Sequence, residues 1–283
     1  MFDAFHNRLT VTGNLMTETA LRIGAGRDID PAGTDLPVIK DALGQPFIPG
    51  SSFKGVLRSR VESYLRAVVP GKRGACNPVG RDDEHCLTTQ QVRDIKNHAV
   101  NDAKLAQTLW DGTCLACRTF GAPWLASTVY VKDLQVPAGL WLGQYQVRNG
   151  VAIDRDTETA SEGLLYDYEV VPAGTAFEFT LVTENARPWQ LGLLLLGLAP
   201  FERGEISVGG ATSRGLGLVA LHDLELRYFS LDGGGNGHDQ AKVEQLIGFL
   251  QHEGQGELVT RDSERHQQWI AALRAKLLEL VAN

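Results

Sequence analysis

The sequence predicts an α+β fold with a ferredoxin-like βαββαβ core and insertions after the first helix and in the middle. Three observations carry this expectation. Phe53, Val56, Leu57, Val61, Tyr64, Leu65 and Val68 recur at helical spacing between Pro49-Gly50-Ser51-Ser52 and Pro70-Gly71, so an amphipathic helix has both a start and a stop. Residues 188–199 are apolar enough for a second, buried helix. The segments around these two helices show strand-like runs, so strands, helix, strands, helix and strand follow in order.

Residues 6–23 are expected to form two short strands round a turn, with Leu9 and Val11, then Leu21 and Ile23, alternating. An acidic, glycine-rich loop, a short apolar strand and a turn lead to the first helix. Residues 71–120 form a polar, cysteine-bearing insertion with a helix over roughly Thr89 to Leu109. Thr128–Val136 reads as a strand, as do the runs Tyr166–Val171 and Ala176–Thr183. Glu205–Val208 and Leu216–Arg227 read as strands flanking the loop 209–215. Residues 232–238, DGGGNGH, read as a flexible linker, with two helices following near 239–252 and 261–281. The expected organisation is one domain over 1–229, then a linker and C-terminal helical tail over 230–283. Leu246, Phe249, Leu250, Trp269, Leu273, Leu277 and Leu280 give this tail apolar stripes, which suit a docking partner or core packing equally.

The chain has 283 residues and a net charge of −7, which argues against a surface that is basic throughout and made for nucleic acid. Charge is uneven, however. Residues 52–73 carry Lys54, Arg58, Arg60, Arg66, Lys72 and Arg73 against the single acid Glu62, so a local basic face is expected. The longest apolar run, Leu191–Ala199, is too short to span a bilayer. The start of the chain lacks a signal-peptide core, and the expectation is a cytoplasmic protein with no membrane partner.

Cys76, Cys86, Cys114 and Cys117 all fall within the insertion, the last two as Cys-x2-Cys. That spacing places two thiolates on one tetrahedral ion, and a metal would supply folding free energy to a segment poor in core residues. Structural Zn2+ is expected, with His85 as a substitute ligand; free thiols and disulfides are the alternatives, and a cytoplasmic setting disfavours the latter. A zinc deaminase is excluded, since residue 113 is Thr where that signature needs Pro, and no His-x-Glu occurs.

Asp35 lies in the acidic loop with Asp28 and Asp30, not far in sequence from the basic helix. A carboxylate beside a basic surface suits metal-assisted chemistry on a nucleic acid, although an Asp ahead of an X-Pro step is also a common turn former. Ser51 and Ser52 at the helix start offer amides and hydroxyls to a phosphate. Lys54 and Arg58 lie four apart on one face, as a phosphate-tracking pair or as solvated surface charges. In the loop Gly209-Gly210-Ala211-Thr212-Ser213-Arg214-Gly215-Leu216-Gly217, glycines permit positive φ and the close approach of another backbone, and Arg214 suits a phosphate or a base face. It is no Walker A loop, and a plain hairpin turn is the alternative.

Several of these segments together resemble one family. Ile23-Gly24-Ala25-Gly26, Thr34-Asp35-Leu36-Pro37-Val38-Ile39-Lys40-Asp41, Phe47-Ile48-Pro49-Gly50-Ser51-Ser52-Phe53-Lys54-Gly55, Arg118-Thr119-Phe120-Gly121, the glycine-rich loop and residues 148–171 (RNGVAIDRDTETASEGLLYDYEVV) resemble motifs of the backbone RAMP subunits, Csm/Cmr-like, of type III CRISPR effector complexes. The likeness covers roughly residues 8–228, with Thr34 where Ile is frequent and Thr119 for Leu. It implies a modified ferredoxin-like, RRM-like RAMP palm with a zinc-binding insertion at 71–120 and a thumb hairpin at 146–168. It implies a guide RNA held by Ser51, Ser52, Lys54, Arg58, Arg155, Gly209, Gly210, Ser213 and Arg214. A thumb residue such as Ile153, Leu164 or Leu165 would wedge between stacked bases. It further implies that Asp35, with Mg2+ or Mn2+, cuts a complementary target RNA, and that other RAMP subunits and the large subunit of such a complex are partners. Three alternatives stay open: a catalytically silent scaffold, a histidine-dependent guide-processing nuclease, and a zinc-stabilised protein-binding domain. None of the seven histidines falls in the loops named above.

Overall fold

The computed structural model describes residues 4–26, 34–231, 239–251 and 256–282. In chain order the first half runs β1 (Asn7–Thr17), β2 (Phe47–Ile48), α1 (Gly50–Val68), α2 (Thr89–His98), α3 (Asp102–Gly112), α4 (Leu115–Phe120), β3 (Val129–Val131) and β4 (Leu134–Gln135). The second half runs β5 (Gln146–Ile153), β6 (Ala160–Val170), β7 (Ala176–Glu184), α5 (Pro188–Glu202), β8 (Ile206–Ser207), β9 (Leu218–Ser230), α6 (Asp239–Gln251), β10 (Glu257–Leu258) and α7 (Glu264–Ala282).

The main sheet has the order β10-β9-β1-β7-β3, with β8 beside β9 and every pairing antiparallel. Within it, β1-α1-β3-β7-α5-β9 is the expected βαββαβ unit, and its spatial order β9-β1-β7-β3 is the ferredoxin-like one. Helices α1 and α5 meet the sheet through aromatic contacts. The Phe53 ring lies 4.9 Å from Phe179 on β7 and 4.7 Å from Phe201 on α5. All three rings are essentially inaccessible to water, a burial that stabilises by about 1.5–3 kcal/mol per side chain.

Three local expectations differ from the structure, each for a physical reason. Residues 6–23, expected as two short strands round a turn, give one named strand, 7–17: the chain passes Gly13-Asn14 as a bulge, with the register against β9 shifting between Thr12 and Asn14, and Leu21 makes only an isolated bridge to Val171. Residues 89–112 form two helices, because Asn101 is extended and its side chain accepts the Lys104 N–H, starting α3 afresh. The run Thr128–Val136 splits between sheets: β3 joins β7 while β4 pairs with β2. Asp133, in the break, accepts the Gly50 N–H at 2.8 Å and so anchors the start of α1.

Helix α5 is apolar round its circumference and is buried by neighbours on most sides, with Leu196 left exposed. Gly197 sits against Leu57 and Val61 of α1, and Gly192 against Trp269 of α7. The linker read at 232–238 lies outside the described residues; beyond it, the elements read as a tail pack into this body through β10 and α7. β10 extends the sheet beside β9, Trp269 and Leu273 are buried, and the Trp269 ring meets Tyr228 edge-on at 5.1 Å. Leu277 and Leu280 pack against the same core, so most of the α7 stripe is core packing. Among the described residues no helix is long and apolar enough to cross a membrane.

Candidate nucleic-acid interface and metal centre

Strands β5 and β6 pair only with each other among the named strands, giving the hairpin expected at 146–168. Alternation along Tyr166-Asp167-Tyr168-Glu169 sends the two acids to one face of β6 and the two tyrosines to the other. The base of the hairpin is held on both faces. On the acidic side the Asp35 loop runs beside β6, with Leu36 bridging Tyr168. The Asp35 N–H donates to Asp167 Oδ1 at 2.7 Å, and the Asp167 N–H donates to Asp35 Oδ2 at 3.1 Å. Glu169 accepts from the Val38 N–H at 3.2 Å and pairs with Lys40 Nζ at 2.8 Å. This reciprocal arrangement holds an exposed Asp35 carboxylate in one orientation, with its Oδ1 unpartnered among the described residues. Asp28 and Asp30 lie outside the described residues.

On the tyrosine side, Arg214 Nη1 donates to the Tyr166 hydroxyl at 2.8 Å, and the Arg22 guanidinium lies over the Tyr168 ring at 5.9 Å. Arg22 Nε is buried with no hydrogen-bond partner among the described residues. The glycine-rich loop packs on Arg22. A Cβ at Gly209, where φ is +87°, would stand 2.3 Å from the Arg22 carbonyl oxygen, which also accepts the Gly210 N–H at 2.8 Å. The close approach that these two glycines allow is thus made by the protein's own backbone. Ser213 and Arg214 are exposed at the outer end of the loop.

At the hairpin tip, Asp154 accepts the N–H and hydroxyl of Thr157 and the N–H of Asp156, which holds its carboxyl below the usual range. Arg155 is exposed beside it. Of the apolar candidates for a wedge, Ile153 is 56% and Leu165 68% exposed; the Leu164 side chain lies outside the described residues. Val151 stands directly opposite Leu165 and is also exposed, so the hairpin carries a larger apolar surface than the sequence reading named.

Of the three amides expected to be open at the start of α1, those of Gly50, Ser51 and Ser52, two are taken. Gly50 N–H goes to Asp133, and the Ser52 and Phe53 N–H groups go to the Pro49 carbonyl. The Ser51 side chain is exposed and that of Ser52 half-buried. Lys54 and Arg58 turn into the protein. Lys54 Nζ donates to Ser127 Oγ and the Val129 carbonyl, both at 2.8 Å, and burial, with Arg58 nearby, pushes its pKa down. Arg58 donates to Glu62, to the Gly121 carbonyl and to Cys117 Sγ. A pair of solvated, phosphate-tracking cations is therefore replaced by two internal braces. The i, i+4 spacing was legible, but what stood opposite it was not.

Cys76, Cys86, Cys114 and Cys117 converge, with all four sulfurs within 4.8 Å of one another. Three are buried and Cys86 is half-buried. A tetrahedral ion bound at about 2.3 Å needs sulfurs about 3.8 Å apart, and the Cys76–Cys117 separation is 3.6 Å. The donor set fits a thiophilic metal, and His85 is outside it. Mutual hydrogen bonding orders the thiols. Contacts from Cys114 and Cys117 hold Cys76 far below a free thiol, and contact from Cys114 brings Cys86 down to about 7. Contacts with Cys114 and Cys76 push Cys117 up. Such a group binds a cation by giving up several protons at once.

Asp167, Glu169, Arg22, Tyr166 and Tyr168 were missed as site residues. The available signal was the strict period-two alternation of acid and tyrosine in β6, which marks two different faces.

Comparison with known proteins agrees with this architecture. The sequence profile of the RAMP superfamily matches residues 14–220. The chain is 26% identical over 233 residues to the protein named CRISPR system Cms endoribonuclease Csm3 of Methanothermobacter thermautotrophicus, covering 79% of this chain and 87% of that one. It is 26% identical over 231 residues to the protein of the same name in Methanocaldococcus jannaschii, covering 77% and 80%. A shorter stretch of 70 residues is 33% identical to the Enterococcus italicus protein of that name, covering 24% and 32%. With a ferredoxin-like sheet, a free-standing hairpin and a profile match over most of its length, the chain belongs to the RAMP superfamily.

Proposed function

We propose that this protein is the guide-RNA-binding backbone subunit of a type III CRISPR ribonucleoprotein, and that it cuts target RNA paired to its guide at Asp35. The observation that carries the reading is the Asp35 carboxylate, exposed yet held by Asp167 at the base of the β5–β6 hairpin. In this reading the hairpin is the thumb, and its exposed Ile153 or Leu165 wedges into the guide–target duplex. Arg155 at the tip, with Ser213 and Arg214 of the glycine-rich loop, meets the guide backbone. Ser51 and Ser52 add hydroxyls at the start of α1. The partners are guide RNA, complementary target RNA, further RAMP subunits and the large subunit, in the cytoplasm.

The reaction is a transesterification. The 2′-oxygen next to the scissile bond attacks phosphorus, the bond to the 5′-oxygen breaks, and the products carry a 2′,3′-cyclic phosphate and a 5′-hydroxyl. Bound Mg2+ or Mn2+ supplies charge neutralisation at the phosphate. Asp35 is the residue that holds such an ion or orients the 2′-hydroxyl, and Asp167 fixes its direction. The four cysteines hold structural Zn2+.

The test is cleavage of target RNA by the assembled, guide-loaded complex with Mg2+, comparing wild type with Asp35→Ala. Loss of specific cuts with guide binding intact is the expected result. Unchanged cutting would sink the assignment of Asp35. A second reading, a silent scaffold, draws on the same hydrogen bonds, since a carboxylate accepting a neighbouring strand's N–H is also a brace. In that case neither protein cuts, and both hold the duplex.

A further inference from the structure

The cysteine cluster brings a charge problem that its own segment answers only at a distance, through the Arg118 charge near Cys114 and Cys86. Four thiolates on one divalent cation leave a formal surplus of negative charge, in a place where three of the four cysteines are buried. The residue that answers it comes from α1. Arg58 Nη2 donates to Cys117 Sγ at 3.3 Å, Nη1 to the Gly121 carbonyl at 3.1 Å, and Nε to Glu62 Oε1 at 2.7 Å. Among the described residues it is the side-chain cation that hydrogen-bonds a cysteine sulfur. Lys72, which lines the cleft beside Cys86 and Cys114, donates instead to the Asp83 carbonyl. Arg118, also there, donates to the carbonyls of Trp110 and Asp111.

The chain of contacts continues. Glu62 is 6% exposed, and its second oxygen accepts from Arg66 Nη2 at 3.0 Å, while the same nitrogen donates to the Cys76 carbonyl. Arg58, Glu62 and Arg66 stand four apart along α1 and therefore share one face. That face touches the cluster at both ends of the insertion, at Cys76 where the chain enters and at Cys117–Gly121 where it leaves.

We propose that Arg58 is a positioning residue of the four-thiolate metal centre: it balances the charge at Cys117 and, through Glu62 and Arg66, latches the metal-bearing insertion to the palm helix. The proposal rests on the reading that the four cysteines hold a metal. It removes Arg58 from the guide-contacting set. The metal then fixes the orientation of α1 as well as of its own loop.

The test uses the full-length chain loaded with Zn2+ and titrated with a chromophoric chelator, comparing wild type, Arg58→Gln and, as a charge-loss control within the insertion, the exposed Arg93→Gln. Loss of such an outer partner typically weakens a metal site about 10–100-fold. At least that lower loss is expected for Arg58→Gln, with the Arg93→Gln affinity unchanged from wild type. An Arg58→Gln affinity equal to wild type overturns the proposal, and more so if guide binding falls instead. Wild-type protein that carries no metal on elemental analysis fails the cysteine reading itself, before any variant is compared. Thermal unfolding separates the latch from ordinary helix packing. The loss caused by Arg58→Gln must be larger in loaded than in metal-stripped protein, and equal losses overturn the idea. Arg58→Lys serves the same comparison if the Gln variant does not fold, because a lysine cannot reach Cys117, Gly121 and Glu62 together. An unchanged difference between loaded and stripped protein would again count against it.

Discussion

Asp35 and Asp167 show how much a single pair of residues decides. Each backbone N–H is satisfied by the other's carboxylate, so the catalytic candidate is aimed by a residue 132 positions away. Replacing Asp167 with Ala removes both the acceptor for the Asp35 N–H and the constraint on its direction. The expected outcome is a fall of about 10–100-fold in target cutting, the scale of a misplacement near 1 Å, with guide binding retained. Single-turnover cleavage by the reconstituted complex measures it, and a rate equal to wild type would show that Asp35 needs no such brace. Asp35 itself was legible because it stands inside a run of motif residues. Asp167 was not, because sequence shows that it alternates with tyrosines but not which segment lies against the acidic face.

At the scale of elements, the α5–α7 contact and the cysteine insertion each depend on a close fit at particular residues. Gly192 of α5 meets α7 so closely that a Cβ would lie 2.4 Å from the Trp269 carbonyl oxygen. Gly192→Ala therefore forces the helices apart, at a cost of about 1–3 kcal/mol. Denaturant unfolding with an unchanged slope and a lower midpoint would record it, and an unchanged midpoint would refute it. The insertion has only a small apolar cluster of its own, Leu87, Val92 and Leu109, with Ile95, Leu105 and Trp124 against it. Removing the metal should leave the main sheet folded and expose the 71–120 segment. Limited proteolysis with and without chelator should show new cuts confined to that segment; protection that is indifferent to chelator would mean that no metal organises it. The amphipathic pattern located α1, and the apolar run located α5. Neither could reveal that Asn101 would divide one expected helix into α2 and α3, since tertiary packing and a side-chain cap settled a boundary that helix propensity leaves open.

For the whole molecule, the segment after residue 256 is part of the core rather than an accessory. β10 pairs with β9, and α7 covers α5 through Trp269 and Leu273. Ending the chain at Gly256 would uncover Tyr228 and the outer side of α5. The expected product is insoluble or unfolds at a markedly lower temperature than the full chain, as read by thermal melting. A truncated protein with the full chain's melting temperature would restore the picture of an independent tail. What the sequence by itself determined was the order of most strands and helices and the four cysteines as one set, which follow from periodicity, turn residues and ligand spacing, all of them local. The ferredoxin-like connectivity, the hairpin at 146–168 and Asp35 as the carboxylate of interest came from the resemblance of several segments to one family. What only the tertiary structure decided was which partner each polar group meets. Lys54 and Arg58 turn inward, the Gly50 and Ser52 amides are taken by Asp133 and Pro49, the glycines of 209–210 admit the backbone of Arg22, and α7 buries most of its stripe. Hydrogen bonds and charge pairs are satisfied through space by residues far apart in the chain, so spacing shows which side chains share a face and the fold alone shows what that face meets.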